Sequence, residues 1–262
     1  MASKVPQKKD FEKAKKCAGR NKYLKFFIIF LSLTTIVLSY FNIKVEWFNN
    51  INCFFLFILM SLHFLNKWRY VKLYRRAEMT RRKGFLDKAF GTKLSNMESE
   101  GYYDTDDVPI GYRRFLANLH ENCFYSNRIS EKMCGKSRKK LIVLLILFSY
   151  IVLINLLEIQ IIVAFINAIM VTDIIWEYLS LENFYKETAA VLEECENIWQ
   201  NYKEKYHNPD NGTMAVIIKA YVHYETILAY ESVMLDSKIY KEMNAELEIE
   251  WENLKKRYCI NG

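Results

Sequence analysis

LIVLLILFSYIVLINLLEIQIIVAFINAIMVTDII, Leu141 to Ile175, is the stretch on which the reading of the fold turns. Only Glu158 and Asp173 are formally charged in it. A membrane-spanning helix needs roughly 20 apolar residues, with about 17 tolerated. The run therefore predicts two spans back to back, folded at Leu157-Glu158-Ile159-Gln160. A helix in a soluble core is rarely apolar on every face for that long.

An earlier pair of spans is predicted upstream. The first runs from about Leu24 to Ile43, and Met1 to Lys25 carries nine Lys/Arg against only Asp10 and Glu12. That charge and the lack of a small-residue cleavage site predict an anchor that is retained. Lys44 to Asn50 reads as a short turn with interfacial Trp47 and Phe48. Ile51 to Leu65, extendable to Trp68, is the second span, with Lys67 and Arg69 able to snorkel.

Basic residues set the orientation. Asn66 to Lys140 holds eighteen Lys/Arg and nine Asp/Glu, whereas the two hairpin turns together hold one basic residue, Lys44. Positive charge stays on the cytosolic side, so both termini and the central segment are expected in the cytosol. The fold class expected is an all-α membrane protein: four transmembrane helices in two hairpins, with a helical cytosolic domain built from the central loop and the C-terminal helices. The segments are a basic N-terminus (1–23), a first hairpin (24–68), a basic helical segment (69–140), a second hairpin (141–177) and an acidic helical segment (178–262).

Within the cytosolic part, one helix is predicted from Asn66 to about Phe90, closed by Gly91, and another from about Gly111 to Met133, ending near Gly135. Thr92 to Pro109 reads as looser chain. After the fourth span, Leu181, Phe184, Thr188, Val191, Cys195, Ile198 and Tyr202 recur at three- and four-residue steps, a coiled-coil-like seam. HNPDNG, residues 207–212, is a turn. Met214 to Leu235 is a further amphipathic helix, and Asp236-Ser237 caps a last one to about Tyr258. From Trp176 onward nine basic residues face sixteen acidic ones, so basic and acidic halves are expected to pair.

No catalytic constellation is legible. His120-Glu121 lacks the second histidine of a zinc-protease helix. Asp104, Asp106 and Asp107 lack the remainder of a calcium loop, since Val108-Pro109 interrupt it. Phosphate-loop, dinucleotide and nucleophile-elbow glycine motifs are missing, and none of the six cysteines forms a C-x-x-C pair. The expectation is a protein that is not an enzyme and has no metal and no cofactor.

The positive signal is cationic and aromatic. Arg75-Arg76 and Arg81-Arg82 lie on one helix, followed by Tyr102-Tyr103 and Arg113-Arg114. Guanidinium groups grip phosphates in pairs and aromatic rings stack on bases, a set suited to a phosphorylated nucleotide. The competing reading is juxtamembrane charge on anionic lipid, which composition alone favours. Polar residues within the spans are the second candidate group. Ser32, Thr35 and Ser39 form a stripe with Asn42, either packing helices closely or lining water in an oligomer. Asn155 and Glu158 share a face near the outer end of the third span. Asn167 and Asp173 lie in the fourth, and Asp173 with Glu177 has possible partners in Ser137-Arg138-Lys139-Lys140.

The stretch LYRRAEMTRRKGFLDKAFGTKLS, Leu73 to Ser95, with Gly101-Tyr102-Tyr103-Asp104 and Asn118-Leu119-His120-Glu121-Asn122-Cys123-Phe124-Tyr125-Ser126, resembles the SMODS-associating four-transmembrane effector family of bacterial anti-phage (CBASS) systems. The resemblance implies a homo-oligomeric effector of the bacterial inner membrane. A partner nucleotidyltransferase would make a cyclic oligonucleotide; the effector would bind it and permeabilise the membrane, arresting or killing the infected cell. No nucleic-acid polymer is implied as partner. A non-conducting adaptor recruiting a cytosolic protein through the Leu181–Tyr202 seam is the alternative.

Overall fold

The computed structural model describes residues 7–40, 46–95, 105–153, 159–201 and 209–260, which form six α-helices and, among the described residues, no strand. These are α1 (Lys8–Tyr40), α2 (Glu46–Phe90), α3 (Tyr112–Leu153), α4 (Ile159–Asn201), α5 (Asn211–Glu231) and α6 (Ser237–Tyr258). The chain divides into two compact units. Unit one comprises Met1–Asp10, Arg75–Gly135 and Ser180–Gly262; unit two comprises Phe11–Tyr74 and Lys136–Leu179. The helices α2, α3 and α4 contribute to both.

Helix ends follow local chemistry. α2 stops at Phe90 because Gly91 turns left-handed (φ 67°), its N–H reaching Asp87 O at 2.8 Å. The Asp87 carboxylate then gathers the departing chain, accepting from the N–H groups of Leu94 (2.6 Å) and Ser95 (2.7 Å) and from the Thr92 hydroxyl (2.7 Å). Burial acts to raise the Asp87 pKa, but these hydrogen bonds, Ser95 foremost, hold it below the ordinary carboxylate value. α5 starts on Asp210, which accepts from Thr213 N at 2.8 Å, and α6 on Asp236, which accepts from Lys238 N at 2.8 Å.

Several boundaries differ from expectation. α3 runs through Gly135 without a break and continues to Leu153. A lone glycine inside a helix costs only about 1 kcal/mol, and the helix-forming residues after it carry the turn on. α1 is continuous from Lys8, α2 begins at Glu46, inside the stretch read as a turn, and α5 spans Asn211–Glu231 rather than Met214–Leu235.

Unit one is a helical core. The seam predicted on α4 is turned inward: Leu181, Phe184, Thr188, Val191, Cys195 and Ile198 are all buried, and Tyr202 lies outside the described residues. Its one polar member is satisfied, because the Thr188 hydroxyl donates to Phe184 O at 2.7 Å and accepts from Asn127 Nδ2 at 3.4 Å. Phe85 stacks on Tyr221 (5.1 Å) and meets Phe115 edge-on (5.1 Å), while Phe124 stacks on Trp251 (5.8 Å). The seam thus packs within its own unit.

Unit two is built differently. α1 and α2 lie antiparallel: Phe11 meets Tyr74, Asn66 Nδ2 donates to Cys17 O (2.7 Å) and Asn21 Oδ1 (2.6 Å), and Asn52 Nδ2 donates to Leu31 O (3.4 Å). Ile28 and Leu56 are fully buried between them. Outside this strip the aromatic residues are bare; Tyr23 is 71% exposed, Phe26 64%, Phe57 69% and Trp68 60%. Asn50–Phe90 is the one helical stretch among the described residues long and apolar enough to cross a membrane, and only 22% of its most apolar window is buried. A soluble core helix would hide that face. The second hairpin cannot be compared in the same way, because the side chains of residues 151–172 lie outside the described ones.

The two glycines give opposite predictions. Gly91→Ala forces a left-handed alanine and is expected to lower stability by about 1–2 kcal/mol. Gly135→Ala, with open space at its Cβ position, is expected to raise it by up to about 1 kcal/mol. Denaturant titration of the full-length protein reads both; equal and same-signed effects would contradict these end assignments.

Candidate functional site

The arginine pairs of α2 part company. Arg81 is buried (7% exposed) between two carboxylates, its Nε donating to Glu78 Oε2 at 2.7 Å and its Nη2 to both oxygens of Glu225, at 2.6 and 2.8 Å. Arg82 approaches the same group from the more open side, with Nε donating to Glu225 Oε2 at 2.6 Å and Nη2 to Glu225 O at 3.4 Å. Two guanidinium groups therefore converge on one carboxylate of α5, itself 9% exposed. Two arginines and two glutamates leave the cluster formally neutral, the condition under which buried charges are tolerated.

Its surroundings are dry. The Arg81 guanidinium lies 6.0 Å from the Tyr224 ring centroid, and the Tyr224 hydroxyl shares a 3.0 Å hydrogen bond with Ser126 Oγ. Burial, then the negative field of Glu225, pushes the Tyr221 phenol up to about 12. Burial also raises the Tyr224 phenol and the Cys123 thiol, which sits within hydrogen-bonding reach of Cys195. A thiol held protonated in this way is a poor nucleophile. The cluster's chemistry is the holding of an anion by two arginines.

Arg75, Arg76, Arg113 and Arg114 do not gather there. Arg75 is exposed, and Arg76 makes a surface ion pair with Asp10 at 3.2 Å. Arg113 closes the end of α6, donating from Nη2 to Cys259 O (2.7 Å) and from Nε to Ile260 O (3.2 Å). Arg114 holds the preceding loop through Val108 O (2.6 Å) and Asp106 O (3.2 Å). Tyr102 and Tyr103 lie outside the described residues.

Among the intramembrane candidates, Ser32 and Thr35 are buried on α1. The Thr35 hydroxyl donates to Leu31 O at 3.0 Å and accepts from Asn52 Nδ2 of α2, so at this position the stripe packs helices. Asn155, Glu158 and the side chains of Ser39 and Asn167 lie outside the described residues. Asp173 is the centre of a second charge cluster, in unit two. Lys25 Nζ of α1 lies 2.6 Å from its Oδ2, Lys67 of α2 pairs with Oδ1, and buried His63 Nε2 stands 3.6 Å away. Glu177 shares Lys25 at 2.6 Å. The partners considered from sequence are corrected: Asp173 pairs with Lys25 and Lys67, while Arg138 Nε donates to the Tyr178 hydroxyl at 3.1 Å.

Glu225 went unread in the sequence. Its signal was present: within the buried face of α5 it is the only charged residue, alongside Thr213, Ile217, Ala220, Tyr224, Ile227 and Leu228. His120, fully buried, meets Trp251 edge-on at 5.1 Å, and neither ring nitrogen has a hydrogen-bond partner. Burial lowers its pKa to about 3. Among the described residues no group of three or more His, Cys, Asp or Glu is placed to hold a metal ion. Set against known proteins, the chain matches no family model, no curated protein and no solved structure.

His120 yields a pH prediction. The unfolded chain takes up its proton near the ordinary value of about 6.5, and the folded one only near 3. Its contribution to stability is therefore complete above about pH 6.5 and falls as the pH drops toward 3, by up to about 1.4 kcal/mol per pH unit. Denaturation midpoints of wild-type and His120→Phe protein between pH 7.5 and 4.5 should diverge accordingly. Parallel pH profiles would contradict a buried neutral histidine.

Proposed function

We propose that the chain is a multi-pass effector of the bacterial inner membrane, with four spans in two hairpins and both termini cytosolic. A cyclic oligonucleotide from a partner nucleotidyltransferase triggers it to permeabilise that membrane during anti-phage defence. The resemblance of Leu73–Ser95 suggests the setting, and the bare aromatic faces of α1 and α2 support the membrane placement. One observation carries the ligand reading: Arg81 and Arg82 converge on Glu225, an internal carboxylate in the place where a phosphate would sit.

A ligand shifts an equilibrium only by its differential affinity for two states. The resting state here is the one in which Glu225 occupies both arginines. The ligand's phosphodiesters, each charged like a carboxylate but several to one molecule, displace Glu225 first from Arg82, whose side chain is 34% exposed, and then from Arg81. That exchange frees α5 from α2. Because α2 is one unbroken helix from Glu46 to Phe90, a rotation at residues 81–82 is carried along the same rod into its apolar half. Four spans are too few to enclose a wide pore, so the conducting species is a homo-oligomer. The adaptor alternative needs the α4 seam for a partner, and that seam is occupied by the protein's own core.

The test is dye release from vesicles holding the purified full-length protein, with cyclic di- and trinucleotides added in turn. One of them is expected to release dye. Arg82→Ala should raise the concentration required at least tenfold, as loss of a charged hydrogen bond of about 1.5–3 kcal/mol implies. Arg82 is the better probe because removing Arg81 leaves Glu78 and Glu225 buried without their main partner. No release with any cyclic nucleotide, or an unchanged response in folded Arg82→Ala, would refute the reading.

A further inference from the structure

Arg81, Arg82, Arg113 and Arg114 are engaged inside unit one. In unit two a different set stands exposed: Arg20 and Lys22 on α1, Arg69 and Lys72 on α2, Lys139 and Lys140 on α3.

Their position is regular. On each of the three helices exposed cation gives way to exposed apolar side chain within two residues: Lys22 to Tyr23, Arg69 to Trp68, Lys140 to Ile142. These switch points share one level. Asp173 of α4 meets Lys25 and Lys67, which places the α1 and α2 switches beside it. Tyr178, five residues further along α4 and so about 7.5 Å away, meets Arg138 of α3. Among the described residues, the cations beyond that level, Lys25 and Lys67, turn toward Asp173. Lys72 Nζ lies 4.6 Å over the ring of Trp68, which is itself exposed. Exposed carboxylates among the described side chains of the unit are Glu12 and Glu177 alone.

A plane of cations directly above bare aromatic rings is complementary to a phospholipid surface, the rings reaching the acyl boundary and the ammonium and guanidinium groups the phosphates. We infer that this belt binds the headgroups of anionic phospholipids. The inference rests on the membrane reading and adds the lipid class to it. Zwitterionic headgroups present a compensating ammonium and satisfy the belt poorly.

The test uses the full-length protein in phosphatidylcholine vesicles carrying a trace of spin-labelled phosphatidylglycerol or phosphatidylcholine. The fraction immobilised against the protein is read by electron paramagnetic resonance. Phosphatidylglycerol is expected to be held about threefold or more over phosphatidylcholine, with the preference collapsing in about 0.5 M salt. It should also collapse in a protein carrying Arg69→Gln, Lys72→Gln, Lys139→Gln and Lys140→Gln, whose helix content is checked by circular dichroism. Should that variant misfold, the salt series on the wild type decides alone. Equal immobilisation of the two lipids, a preference indifferent to salt, or displacement by millimolar glycerol 3-phosphate would overturn the lipid belt while leaving the membrane reading standing. Absence of any immobilised lipid, with the protein released by alkaline washing, would overturn both.

Discussion

A carboxylate removed from water has to be met by cations, and this chain meets the requirement twice. Glu225 is met by Arg81 and Arg82 in unit one, and Asp173 by Lys25 and Lys67 in unit two. α2 supplies a cation to each. Breaking such a pair by removing one partner typically costs about 3–5 kcal/mol, because the remaining charge is stranded. The helices that carry these carboxylates, α5 and α4, are thereby tied to α2 by directional contacts as well as by apolar packing.

The two units use the hydrophobic effect in opposite ways. Unit one hides its large side chains: Phe85, Phe124, Phe184, Trp199 and Trp251 are each almost fully buried. Unit two leaves Phe26, Phe54, Phe57 and Phe64 bare, and buries asparagine, serine and threonine in the α1–α2 contact. In water that arrangement would be unfavourable, since exposed aromatic area is costly at roughly 25 cal/mol per Å². In lipid it is ordinary: small and polar residues pack the helices together and aromatic ones face the solvent, which is hydrocarbon.

Much of this was legible because it is local. Gly91 after an amphipathic run, Asp236 before one, and the three- and four-residue seam of α4 as far as Ile198 each state their own structure within a few residues, and each is found where expected. What the sequence hid was tertiary. Arg81 and Arg114 look alike in a chain of letters, yet one holds a buried carboxylate and the other two loop carbonyls. Asp173 had one candidate set of cations at the start of the preceding span and found others on α1 and α2. Gly135 looked like a stop, but nothing beside it required a turn. Apart from Arg81 and Arg82, the stretch Leu73–Ser95 and its surroundings act as scaffold. Glu78 braces Arg81, Asp87 gathers the following loop, Ala89 O accepts from Gly111 N at 2.8 Å, and Gly91 ends the helix.

Glu225 as the resting occupant of an anion site is the idea on which the functional reading stands. Isothermal titration of folded, full-length Glu225→Gln protein with the activating cyclic nucleotide addresses it directly. Neutralising the internal competitor should tighten binding about tenfold or more, a difference of about 1.4 kcal/mol. Affinity that is unchanged or weaker in that variant would mean the two arginines serve the fold alone.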